Sequence, residues 1–126
     1  MAVLIFAAIS FSSFSQYGNC NIMHSGRFKY MADKEEVVVT ITDSNFVESY
    51  QDGKYFIKAQ LDWLSQCEYN LVITKVNAPG VMYTTGDEVN VKINRVEGND
   101  IFYTATVRRV SWDGKFTKLD EHVSVK

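Results

Sequence analysis

Two cysteines, two histidines and seven tyrosines are the side chains of this chain with most to say about chemistry. Cys20 and Cys67 form an even pair. Closing the loop of about fifty residues between them would stabilise a small domain by about 4 kcal/mol through lost chain entropy. The competing reading is two unrelated buried thiols. His24 and His122 sit near opposite ends of the chain, and neither belongs to a metal-ligand spacing such as His-x-x-x-His. Both read as surface histidines, so no metal site and no cofactor is expected. Triads assemble across a fold rather than along a sequence. There is still no nucleophile elbow, and no catalytic residue is assigned. Gly53-Lys54 and Gly114-Lys115 each follow an aspartate and lack the upstream glycine of a phosphate loop.

What remains is apolar chemistry with a few phenols in it. Tyr55, Ile57, Leu61, Tyr69, Leu71, Val91, Ile93 and Tyr103 are the candidate lining of an interior pocket. A tyrosine hydroxyl in an apolar interior needs a partner, which a ligand's polar head, a water or a second phenol can supply. The alternative is a filled core. The aromatic residues also interleave with charges, as in single-strand nucleic-acid binders. The formal net charge of −2 argues against that partner.

The elements that would position these residues are strands. Tyr55, Ile57, Ala59, Leu61 and Trp63 alternate with mostly polar neighbours, and so do Cys67, Tyr69, Leu71 and Ile73. Two such runs separated by Leu64-Ser65-Gln66 make a hairpin. Upstream, Gly26–Tyr30, Val37–Thr42 and Phe46–Tyr50 read as strands one to three, with Phe46, Glu48 and Tyr50 on one face of the third. The turns are Ala32–Glu35, Asp43–Asn45 and Gln51–Lys54; Asp52-Gly53 tolerates positive φ at both positions. Downstream, 77–87 is the longest break, with Pro79-Gly80 as a turn. Its Val81-Met82-Tyr83 either close over a cavity or pack as an extra edge strand. Glu88–Val96 and Ile101–Val110 read as strands six and seven. Trp112–Lys115 reads as a second Asp-Gly turn, and Phe116–Leu119 as a short last strand before a polar tail, 120–126. No window has a helical period. An all-β, eight-stranded antiparallel meander must cover its edges, and closure into a barrel does so. A two-sheet sandwich is the alternative.

The chain has 126 residues, enough for one domain. Residues 1–15 carry no charge and run through Ala2-Val3-Leu4-Ile5-Phe6 to Ser13-Phe14-Ser15. That small-x-small ending before Gln16 has the form of a signal-peptidase site. The run falls short of the roughly 20 apolar residues that a membrane-spanning helix needs. The expectation is a removed signal peptide over 1–15, a single β domain over 16–126, and a periplasmic or secreted location. A buried N-terminal strand is the other reading of the segment. Asn19 before Cys20 departs from a lipobox, which leaves an outer-membrane-associated lipoprotein as the alternative location.

Four pieces carry a family resemblance: Cys20 followed by Gly26-x-Phe28-x-Tyr30; Asp62-Trp63; Cys67-Glu68-Tyr69-x-Leu71; and Gly114-x-x-Thr117-Lys118-Leu119. With them the chain resembles the small exported β proteins of flavobacteria and related Bacteroidetes. Members often carry an inherited DNA topoisomerase IV label, which nothing in these residues supports. The resemblance implies a lipocalin-like small β-barrel and brings no established activity. Family members carry Arg after the isoleucine of the second strand and Gln with Glu in the third. Here Ile41 is followed by Thr42-Asp43, and Phe46-Val47-Glu48 keeps the acid alone. The expected function is non-enzymatic binding of a small apolar ligand. An envelope structural or protein-interaction module with a filled core is the alternative, and an enzyme built on a pocket carboxylate comes third.

Overall fold

The structure, a computed structural model, describes residues 20–119. The segment 1–15 read as a signal peptide and the polar tail at 120–126 lie outside them, as does His122. A short 3-10 helix, Cys20–Met23, leads into eight strands: β1 Gly26–Ala32, β2 Glu35–Thr42, β3 Asn45–Tyr50, β4 Tyr55–Ser65, β5 Glu68–Val76, β6 Glu88–Glu97, β7 Asp100–Val107 and β8 Val110–Lys118. Each strand pairs antiparallel with the next, and β8 returns to β1, so the sheet is a closed barrel. Closure removes the open edges that a meander of this size would otherwise expose. The all-β, eight-stranded expectation holds, and the sandwich is ruled out.

Strict alternation along the strands sorts residues to the two sides of the wall. Val37, Val39 and Ile41 of β2, Ile57, Ala59 and Leu61 of β4, Tyr69, Leu71 and Ile73 of β5 and Ile101, Tyr103, Ala105 and Val107 of β7 are buried, while their neighbours are more exposed. The β3–β4 turn has the left-handed geometry expected of Asp52-Gly53, with φ of 56° and 84°.

One turn is not where turn chemistry puts it. Trp112–Lys115 is mid-strand in β8, which is nine residues long rather than a four-residue stub. The chain reverses at Arg108-Arg109, both with positive φ (47° and 73°). On the outer wall Thr104 Oγ1 donates to Asp113 Oδ1 at 2.7 Å, Thr106 and Ser111 hydroxyls meet at 2.7 Å, and Thr117 Oγ1 donates to Asp100 Oδ1 at 2.8 Å. These pairs join residues that oppose one another across β7 and β8. They hold a register in which Asp113 is a ladder residue and not a turn residue. A smaller shift occurs at the β4–β5 hairpin. β4 continues to Ser65 and the turn is Gln66-Cys67, so Cys67 precedes the fifth strand instead of opening it. A bulge between Trp63 and Ser65 absorbs the difference.

The barrel has a plugged end and a loop end. At the plugged end the 3-10 helix carries fully buried Cys20 and Met23. The Cys20–Cys67 disulfide ties that helix to the β4–β5 turn. Lys118 Nζ donates to the carbonyls of Ile22 and Ser25, at 2.9 and 3.0 Å. At the loop end lie the β1–β2, β3–β4 and β7–β8 turns and the 77–87 loop. No helix among the described residues is long and apolar enough to cross a membrane.

Candidate functional site

Toward the loop end the barrel is hollow. A cavity of about 80 Å³ is walled by apolar residues of β3 to β8, among them Phe46, Ile57, Leu71, Ile73, Val89, Val91, Ala105 and Phe116. A single water needs roughly 10–15 Å³ of such space, so the volume admits several waters or a small molecule.

Five of the eight candidate lining residues stand around this cavity: Ile57, Tyr69, Leu71, Val91 and Tyr103. The other three do not. Leu61 and Ile93 are buried but sit nearer the plugged end, where the Leu61 amide donates to the Ser44 carbonyl and the Ile93 amide to that of Cys67. Tyr55 has the inward parity, yet as the first residue of β4 it lies at the rim and packs against Tyr50, with ring centroids 5.3 Å apart.

The side chain most distinctive of the cavity is one the sequence reading left out of the pocket. Glu48 follows Phe46 by two residues on β3 and lines the cavity. Across the ladders it opposes Val39 on β2 and Ile57 on β4, so its carboxyl is bedded between apolar neighbours. The Tyr30 hydroxyl donates to Glu48 Oε2 from β1. Burial pushes the Glu48 carboxyl up from its ordinary value of 4.5 to about 7, because desolvation disfavours the charged form. The signal available in the sequence was parity: a carboxylate at the same spacing as a buried phenylalanine.

Four tyrosines surround this acid: Tyr30, Tyr69, Tyr83 and Tyr103. Tyr69 is fully buried, and its hydroxyl has no hydrogen-bond partner among the described residues. Burial, reinforced by the Glu48 charge, raises the phenols of Tyr69, Tyr83 and Tyr103. Tyr83 comes from the 77–87 loop, where Val81 also packs on the core while Met82 is exposed. Arg108, from the β7–β8 turn, holds that loop: it pairs with Asp87 and donates to the Met82 carbonyl at 2.8 Å. Trp112 completes the wall from β8, 6.3 Å from Tyr83 between ring centroids.

The wall is thinnest at its seam. β1 and β8 pair only at Phe28–Lys118 and Lys29–Thr117. Beyond them a groove of about 590 Å³ lies along the two strands, and it shares Tyr30, Tyr103 and Trp112 with the cavity.

At the plugged end His24 stacks on Trp63, ring centroids 3.6 Å apart, and its Nε2 lies 2.9 Å from the Gln66 carbonyl. No cluster of His, Cys, Asp and Glu among the described residues is placed to hold a metal ion. Compared with family models, curated proteins and solved structures, the chain finds no match.

Proposed function

We propose that this protein is a non-enzymatic binding module for a small, mainly apolar molecule held in the loop-end half of the barrel. The observation that carries the reading is the cavity itself: apolar walls around a few polar groups, Glu48 and the phenols of four tyrosines, of which the Tyr69 hydroxyl is unpartnered. Small-molecule sites have this composition, with hydrophobic lining and a few polar groups that orient the ligand. A hydroxyl buried without a protein partner is costly in a finished core, and it becomes useful when a ligand completes its bond. The Cys20–Cys67 disulfide supports a periplasmic or secreted location for such a module, since these bonds persist in oxidising compartments.

A filled-core envelope module is the second reading, and it draws on the plugged half. There Cys20, Met23, Phe28, Ile41 and Ile101 are packed without exposure.

Amide and methyl chemical-shift mapping with short alcohols and benzene-sized hydrocarbons tests the proposal. Saturable shifts are expected at Ile57, Leu71, Val91 and Ala105. Shifts confined to outward-facing residues, or none, would remove the binding-module reading.

A further inference from the structure

The cavity's charge is unbalanced. Glu48 is the one carboxylate in its lining, and no Lys, Arg or His among the described residues lines it. Arg108, the cation that holds the loop carrying Tyr83, is already engaged by Asp87 and the Met82 carbonyl. Tyr30 supplies Glu48 with one hydrogen bond to one oxygen, and its cross-strand neighbours Val39 and Ile57 supply none. An ionised carboxylate in such a place, part-buried against apolar neighbours, lacks a counter-charge, and a charge drawn out of water is tolerated best when it is paired.

The rest of the lining suits a positive charge. Tyr30, Tyr69, Tyr83, Tyr103 and Trp112 bring five aromatic rings to one small space. Ring faces carry negative quadrupole density and attract ammonium groups, most strongly where water is excluded. The Tyr69 oxygen is unpartnered and can accept a hydrogen bond from an N–H donor. The same features repel an anion: Glu48 opposes it, and no positive side chain in the lining would receive it.

Resting on the cavity-binding reading, we infer that the ligand is a small organic cation, an amine or ammonium whose charged head sits at Glu48 within the ring of aromatic side chains. The volume of about 80 Å³ limits the buried part to a head group with a short alkyl stem. The ammonium pairs with the Glu48 carboxylate, one N–H reaches toward Tyr69, and the stem lies along Ile57, Leu71 and Val91.

The test compares n-butylammonium with 1-butanol, which have nearly the same shape and differ in charge. Calorimetric or chemical-shift titrations are run on the full chain at about pH 8, above the range in which burial holds the proton on Glu48. The amine is expected to bind at least about tenfold tighter than the alcohol, as charge pairing in a desolvated site predicts. In Glu48→Gln the amine-to-alcohol ratio is expected to collapse toward one. An alcohol that binds wild type as tightly as the amine would overturn the cation inference while leaving the cavity-binding reading intact. A preference for the amine that survives in Glu48→Gln would overturn it too, because the charge would then be read elsewhere. Failure of both probes to bind folded protein would remove the inference and the reading beneath it.

Discussion

Tyr103 lies over Gly114, its partner across the β7–β8 ladder, and fills the space in which a side chain at position 114 would stand. A Cβ built there would come within 2.5 Å of the Tyr103 Cζ and 3.0 Å of its Cε2. The glycine is therefore required by the ring and not by the backbone, since Gly114 is not among the positive-φ positions. The same ring stacks on Phe116, centroids 4.4 Å apart, which keeps it against the wall.

Gly114→Ala should therefore destabilise the barrel by about 1–3 kcal/mol, the usual cost of overpacking. The mechanism predicts strong coupling. In a Tyr103→Val background the same alanine should cost little, because the ring that it meets is gone. Urea denaturation of the four proteins measures the coupling. Additive costs would mean that something other than the Tyr103 ring excludes a side chain from position 114.

Glu48 gives stability a pH dependence of definite sign. Its carboxyl titrates near 7 in the folded protein and near its ordinary 4.5 when unfolded. Between those values the folded state holds more protons, so stability falls as pH rises through that window. Asp87 acts in the opposite sense at lower pH: Arg108 first, and the Thr84 amide after it, hold its carboxyl below 3.8. Its contribution is lost on acidification below that point, so the two windows do not overlap. The full Glu48 effect amounts to about 3 kcal/mol at one pKa unit per 1.36 kcal/mol. Glu48→Gln should be as stable near pH 8 as near pH 5, whereas wild type should lose a few kcal/mol. Parallel stability curves for the two proteins would show that the carboxyl is not desolvated as described.

How far the sequence could be read depended on which residues carried the information. Alternation in Tyr55–Trp63 and Cys67–Ile73 was enough to define the central hairpin, and an even cysteine count was enough to pair Cys20 with Cys67. The β7–β8 reversal was not legible. Two arginines in the left-handed region contradict turn propensity, while Asp113-Gly114 satisfies it and is strand. Local preference lost there to tertiary register and to the Tyr103 ring. Glu48 was missed for a related reason. Parity put it beside Phe46, but a charged residue on a strand is ordinarily turned to water, and its interior position depends on the barrel closing Tyr30 over it. Tyr55, Leu61 and Ile93 have the correct parity but lie at the wrong level along the barrel axis. Periodicity reports the face of a strand and says nothing of depth.

Arg108 is placed to govern the loop over the cavity. Its pair with Asp87 is exposed on the arginine side, so its loss should matter little to the barrel as a whole. It should matter locally, because Arg108 also holds the Met82 carbonyl beside Tyr83. In Arg108→Ala, limited proteolysis between 78 and 86 should speed up, and the Asp87 carboxyl should move back toward 3.8 by NMR titration. Thermal unfolding should be nearly unchanged. An unaltered loop-cleavage rate would show that Val81 and Tyr83 packing alone keeps the loop in place.

The disulfide joins the plug to the wall, and its removal should be felt first there. Cys20 and Cys67 are 47 residues apart, so the bridge should contribute about 4 kcal/mol by constraining the unfolded chain. Without it the Cys20–Met23 helix is still held by the two Lys118 bonds and by Met23 in the core. Cys67→Ser should accordingly fold, with a stability lower by about 2–5 kcal/mol. Trp63 is the local reporter, lying between the His24 ring at 3.6 Å and the Tyr69 ring at 4.7 Å. In a Trp112→Phe background, the emission of Trp63 should change at lower urea than the far-ultraviolet circular dichroism of Cys67→Ser, because the plug and its His24 stack leave before the strands separate. The bridged protein should show one coincident transition. Coincident transitions in the variant, or a stability within about 1 kcal/mol of wild type, would mean that the plug is held by its packing and that the bridge constrains little.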